Sequence, residues 1–258
     1  MKILRAIKPN AGIQAKYRRR LEDMIDDMNR SVVWWLRAEY RRQEARITQD
    51  SPVADLSKRL GELFRYWMRR WQNKLEDFAR DFVHSTERKT RNSMKQALRD
   101  AGFTVKFDSS RAEQTVVRAL ILENTRLIKS IPEEYFSNVF RIVGQGVSMG
   151  RNTAYIEEQL HQRYGITKRR AKLIARDQSN KATQAIRSVE AKELGITEGI
   201  WVHVPGTKSS RKTHMQMNGK RFRLDEGLYD SAMGRKVLPG ELVACNCTFR
   251  AVIPEFGD

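Results

Sequence analysis

"YRRRLEDMIDDMNRSVVWWLRAEY", residues 17–40, sets the character of the chain. Apolar side chains recur at steps of three and four: Tyr17, Leu21, Met24 or Ile25, Met28, Val32, Trp35 or Leu36, Tyr40. That spacing winds one apolar stripe along a helix, with Arg, Asp and Glu on the other face. After Gly12 nothing breaks the pattern, so a helix is expected over residues 11–47. Asp50, Ser51 and Pro52 then form a stop. A second stripe follows in Leu56, Leu60, Leu63 or Phe64, Trp67, Trp71, Leu75, Phe78 or Ala79, and Phe82. It predicts a helix over residues 53–100, weakened at Gly61. Two long helices around a short break make a hairpin. Trp34, Trp35, Trp67 and Trp71 are expected to meet across it. Indole rings can also stack on nucleic acid bases, but a place inside the apolar stripes favours the core.

The remaining pattern is also helical until residue 195. Helices are expected over residues 111–131, with Ser109 or Ser110 as cap and Pro132 as stop, and over 133–146. Two more follow, over 153–164 up to Gly165, and over 167–194 with Thr167 as cap and Gly195 as stop. "FTVKF" at residues 103–107 reads as a short strand or an extended link. "GIWVHV" at 199–204 and residues 248–253 read as strands. The expected fold class is mainly α. A long N-terminal helical hairpin (1–107) and a helical middle region (108–198) precede a small α+β C-terminal module (199–258).

The 258 residues carry 49 Lys and Arg against 31 Asp and Glu, a net charge of +18. Such an excess attracts polyanions, nucleic acid first. Residues 166–223 hold 14 basic and 4 acidic residues, the densest positive stretch. Lys168, Arg169, Arg170, Lys172 and Arg176 are therefore candidate contacts for DNA phosphates. No apolar run approaches the ~20 residues needed to cross a bilayer. The start, MKILRAIKPN, lacks the apolar core of a signal peptide. A membrane partner is not expected, and the chain reads as made in a reducing cytoplasm.

One of the four histidines and both cysteines lie in "SRKTHMQMNGKRF" (210–222) and "ACNCTF" (244–249). Cys245, Cys247 and His214, with His203 as a fourth donor, are a candidate zinc set. Cys-x-Cys departs from the common Cys-x2–4-Cys spacing, so the signal is weak on its own. The favoured alternative is a small module in which these residues are buried and hydrogen-bonded, with no cofactor. A disulfide across one residue would be strained. A thiol–imidazole pair for catalysis is a further alternative, with Asn218 or Asp225 as the orienting group. No phosphate-binding loop, nucleophile elbow or HExxH is present. No catalytic residues are assigned.

Taken in order, these motifs resemble the phage Mu F-like family of minor head proteins, also called phage head morphogenesis proteins. The resemblance runs over roughly residues 108–256. It rests on Arg170, Leu173, Ile174, Ala175, Arg176, Asp177, Gln178, Asn180 and Lys181; then Gly195, Ile196 and Trp201; then Arg211, His214, Asn218 and Gly219; and finally Cys245, Cys247, Pro254 and Phe256. Thr207 and Asn246 depart from it, standing where many relatives have Asp and Arg. The resemblance implies a non-enzymatic virion component near the portal. Its implied partners are the portal protein, major capsid or scaffold protein and double-stranded DNA, and its roles are head assembly, DNA packaging or ejection. It would reside in the host cytoplasm during assembly. A nuclease or toxin-like enzyme, using His214, Cys245 and Arg211, and a free cytoplasmic DNA-binding protein are the alternatives.

Overall fold

The computed structural model describes residues 2–44, 52–149, 153–205 and 210–254. The expected helix end at 45–47, the stop at Asp50 and Ser51, Thr207 and Phe256 lie outside these residues. The described elements are β1 (Lys2–Ile3), α1 (Ala11–Glu44), α2 (Pro52–Asp100), α3 (Arg111–Ser148), α4 (Thr153–Glu193), β2 (Glu198–Val202), α5 (Lys212–Met217), β3 (Arg221–Arg223), β4 (Leu228–Asp230), β5 (Arg235–Val237) and β6 (Thr248–Ile253). The protein is mainly α with a small β part, as the patterning predicts. The chain divides into two compact units, one of Met1–Ala15, Arg80–Leu122 and Ala175–Asp258, the other of Lys16–Ala79 and Glu123–Ile174.

The second unit is a helical bundle. In α1 the stripe resolves to Tyr17, Leu21, Ile25, Met28, Val32 and Leu36, all buried. Residue numbers along α1 and α2 run in opposite senses: Tyr17 meets Phe78 with ring centroids 5.1 Å apart, and Trp67 Nε1 donates to Ser31 Oγ at 3.1 Å. The pair is therefore the expected antiparallel hairpin. Along α3 the numbers run with α1, from Tyr17 Oη donating to Asn124 Oδ1 (2.9 Å) to Tyr135 Oη donating to Asn29 Oδ1 (2.8 Å). Along α4 they run against it, with Arg37 donating through two nitrogens to Glu157 at 2.7 Å and Tyr164 Oη donating to Asp26. Trp67 and Trp71 are buried, but Trp34 is 70% exposed, so the expected four-tryptophan cluster does not form.

Two expected helix stops are overridden. The helix α3 runs through Pro132, and α4 runs through Gly165 and Thr167. Proline inside a helix costs about 3 kcal/mol. Around it Ile128, Ile131, Tyr135, Phe136 and Val139 are fully buried. Each such side chain contributes about 1.5–3 kcal/mol on burial, so packing outweighs the break. Thr167 does not cap. Its hydroxyl donates to the Arg163 carbonyl one turn back, at 3.0 Å. At the head of α3 the expected cap does form, with Glu113 N–H donating to Ser110 Oγ at 3.0 Å.

The first unit carries the sheet. Its order is β1-β6-β2-β3, and every pairing is antiparallel. The expected strand at 248–253 is β6, the expected 199–204 strand is β2 over Glu198–Val202, and "FTVKF" is an irregular link. Trp201, Phe222 and Phe249 fill the core beneath the sheet with Met94, Leu98 and Ala191 from the helices. Beside this core, Arg91 of α2 reaches Glu87 (3.3 Å), Glu190 of α4 (3.4 Å) and Glu113 of α3. Three carboxylates around one guanidinium leave a negative surplus. Burial, and then repulsion by Glu113, push Glu190 up to about 8.

An unfolded glutamate titrates near 4.3. Between that value and about 8 the folded chain holds a proton that the unfolded chain has lost. The stabilising contribution of Glu190 is thus complete at acidic pH and declines as pH rises towards 8. Glu190→Gln should flatten the fall in melting temperature between pH 5 and 8.5 relative to the parent protein. Equal slopes in the two proteins would place the titration elsewhere.

Candidate metal centre

The helix α4 from Ala175 onward is buried on nearly every side, yet it is not apolar. Gln178, Ser179, Asn180, Thr183, Gln184, Arg187, Ser188 and Glu190 are all buried. Buried polar groups need partners, and several of this helix find theirs in the C-terminal strands and loops. Asp177 Oδ1 accepts from Ala244 N–H at 2.6 Å. Asn180 Nδ2 donates to the carbonyls of Cys245 (2.8 Å) and Cys247 (3.2 Å). Gln184 Oε1 accepts from Thr248 Oγ1 at 3.0 Å. Arg187, fully buried, donates to the Phe249 carbonyl at 2.5 Å, and its guanidinium lies 4.0 Å from the centroid of the Phe249 ring. Four residues spaced at three, four and three along one helix thus hold residues 244–249 in place. Two local features let the loop come this close. Ala244 takes a left-handed backbone with φ of 59°. Gly240, also left-handed, passes so near that a Cβ would fall 2.9 Å from Asn180 Nδ2 and from Gln184 Cγ.

The loop presents both thiols to His214, which α5 supplies. His214, Cys245 and Cys247 are all buried, and their donor atoms lie within 4.8 Å of one another. His214 Nδ1 is 3.4 Å from Cys245 Sγ and 3.6 Å from Cys247 Sγ. His203, which follows β2, places Nδ1 3.6 Å from Cys247 Sγ. On the far side, His214 Nε2 lies 3.1 Å from Asp230 Oδ2 at the end of β4. Burial alone would raise the Asp230 pKa, but the Ala232 N–H and the imidazole hold it below the usual value. Asp230 is therefore a carboxylate that accepts a hydrogen bond from Nε2–H and sets Nδ1 towards the sulfurs. The Cys247 thiol is the largest cause that brings Cys245 down to about 4, with His214 adding to it, and the same contact pushes Cys247 up. The two sulfurs compete for one proton.

The structure brings His214, Cys245 and Cys247 of the expected set together, and places His203 beside Cys247. Of the expected orienting groups, Asn218 accepts from His203 N–H at 2.9 Å, and Asp225 pairs with Arg223 at 2.8 Å. Neither is bonded to His214. That position belongs to Asp230, which no spacing in the sequence marks, because it reaches His214 only through the β4–β5 hairpin. Arg211 donates to the Val243 carbonyl at 2.9 Å and braces the same loop.

The basic candidates are dispersed in role. Lys168 pairs with Asp26 at 2.9 Å, and Arg170 pairs with Glu134 at 2.8 Å. Arg176 is partly buried, while Arg169 and Lys172 are exposed.

Residues 137–250 match the family described as phage Mu protein F like protein. Over this segment the chain is similar to the phage Mu F-like family. The matched residues include Asp177, Asn180, Gln184 and Arg187 of α4 and the whole His203, His214, Asp230, Cys245 and Cys247 cluster. An uncharacterized protein of Haemophilus influenzae is 30% identical over 131 residues, which is 51% of this chain and 28% of that protein. The chain thus aligns with little more than a quarter of that relative's length. No solved structure matches the chain.

Asn180→Ala should remove the donor to two buried carbonyls and cost about 2 kcal/mol of stability in the first unit. Denaturant titration monitored by tryptophan fluorescence would measure it. A midpoint unchanged from the parent protein would show that the carbonyls find other donors.

Proposed function

We propose that the protein is a minor head protein of a tailed bacteriophage and acts in head morphogenesis by binding rather than by catalysis. The observation that carries this reading is the phage Mu F-like match over residues 137–250. Its partners would be the portal, major capsid or scaffold protein, with DNA as a second partner. The net charge of +18 supports the DNA contact. Arg169 and Lys172 are the best-placed of the five basic candidates, because Lys168 and Arg170 already answer carboxylates within the bundle. Contacts of this kind are independent of base sequence and weaken with salt. No described helix is long and apolar enough to cross a membrane.

One observation favours an enzymatic reading. Cys245, His214 and Asp230 stand in a row, as a nucleophile, a base and an orienting carboxylate would. Against it, all three are buried, and a second thiol shares the same imidazole nitrogen.

Mass spectrometry of purified heads tests the main reading. The protein should be present at a reproducible copy number far below that of the major capsid protein, and its absence from virions would overturn the assignment. For the DNA interface, the double variant Arg169→Glu, Lys172→Glu should flatten the plot of log affinity against log salt by roughly 2, about 0.9 for each phosphate no longer neutralised. An unchanged slope would remove these two residues from the interface.

A further inference from the structure

We infer that His214, Cys245 and Cys247 hold a structural zinc ion, with His203 beside Cys247 as the fourth donor and Asp230 orienting His214. Asp230 accepts a hydrogen bond from Nε2–H of His214 and so turns Nδ1 towards the sulfurs. Nδ1 faces two sulfurs, at 3.4 and 3.6 Å, and neither is closer than the other by a useful margin. Cys247 in turn faces a second imidazole nitrogen at 3.6 Å. A single cation between His214 Nδ1 and the two sulfurs would use all three atoms at once.

The distances agree with that cation. Zinc binds thiolate at ~2.3 Å and imidazole at ~2.05 Å, and a tetrahedral angle between them gives a sulfur–nitrogen separation of about 3.6 Å. The three observed separations are 3.4, 3.6 and 3.6 Å. Two thiolates also neutralise a divalent ion, so a buried site carries no net charge.

The surroundings are those of a metal ligand set. A carboxylate on the distal nitrogen of a ligating histidine fixes its tautomer and ring orientation, and Asp230 does this at 3.1 Å. The buried indole N–H of Trp201, which has no oxygen or nitrogen acceptor, lies on the Cys247 side. The tight Cys-x-Cys spacing is held open from outside, by Asp177 on Ala244 and by Asn180 on both cysteine carbonyls. Two thiols and an imidazole, all buried, with His203 next to Cys247, suit a structural ion. A cleft lined by His203, Val204, Ser210, Arg211 and Asn246 leads from the surface to the sulfurs and gives the ion a way in.

The test uses the full chain purified under reducing conditions from medium supplemented with zinc. Elemental analysis should find about one zinc per chain, and titration of the thiols with an organomercurial should release it. Replacement by cobalt should produce the visible d–d bands and the near-ultraviolet sulfur-to-metal bands of a two-thiolate tetrahedral site. Cys247→Ser should abolish binding, and His161→Ala, on an exposed histidine outside the cluster, should leave it unchanged. Asp230→Asn should weaken zinc affinity 10–100-fold. Should Cys247→Ser fail to fold, the cobalt spectrum of the parent protein decides. A folded parent chain that holds neither zinc nor cobalt overturns the proposal. So does fast alkylation of Cys245 by iodoacetamide that zinc does not suppress and His214→Ala abolishes, because that is the behaviour of a nucleophile. Neither result bears on whether the protein is found in phage heads.

Discussion

The arrangement of the C-terminal module depends on the contact between the polar edge of α4 and the loop it holds. A helix buried on all sides is usually apolar. This one is not, because the strands and loops it meets expose carbonyls and N–H groups that would otherwise be stranded. Asp177, Asn180, Gln184 and Arg187 satisfy them in turn, and the thiols, the imidazole and β6 take their positions from that match. Polar recognition of this kind fixes register more sharply than oily packing does, since an apolar side chain tolerates a small slide and a bidentate amide does not.

The bundle was legible in the sequence and the cluster only partly so. The stripe from Tyr17 to Leu36 encodes a buried face through spacing alone, and spacing is a local property. Pro132 and Gly165 misled for the opposite reason. Their cost is local and fixed, while the burial that overrides it comes from residues far along the chain. Likewise, His214 and the cysteines stood out by residue type, but their separation of 3.4 to 3.6 Å is a tertiary fact. Asp230 sits 16 residues from His214 with nothing periodic between them. The run from Arg176 to Asn180 was visible as a motif, but its role was not, because a helix motif does not say which loop it will hold.

Charge tells a similar story. The sequence shows a dense basic stretch, and the structure divides it between internal and external duties. Lys168 and Arg170 answer carboxylates on neighbouring helices, and Arg187 is enclosed entirely. Formal charge therefore overstates the charge that a polyanion can meet. Residues such as Arg169 and Lys172, which lie exposed on the same helix, count for more than their share of the total.

The sheet order has a consequence for how the chain is made. Strand β1 lies at Lys2–Ile3, and its partner β6 lies at Thr248–Ile253. On the ribosome β1 emerges ahead of the four long helices and waits through their synthesis before its neighbour appears. The helical bundle, assembled from residues between 16 and 174, is synthesised well before that moment. Folding of the sheet-bearing unit thus waits for β6, which pairs with both β1 and β2.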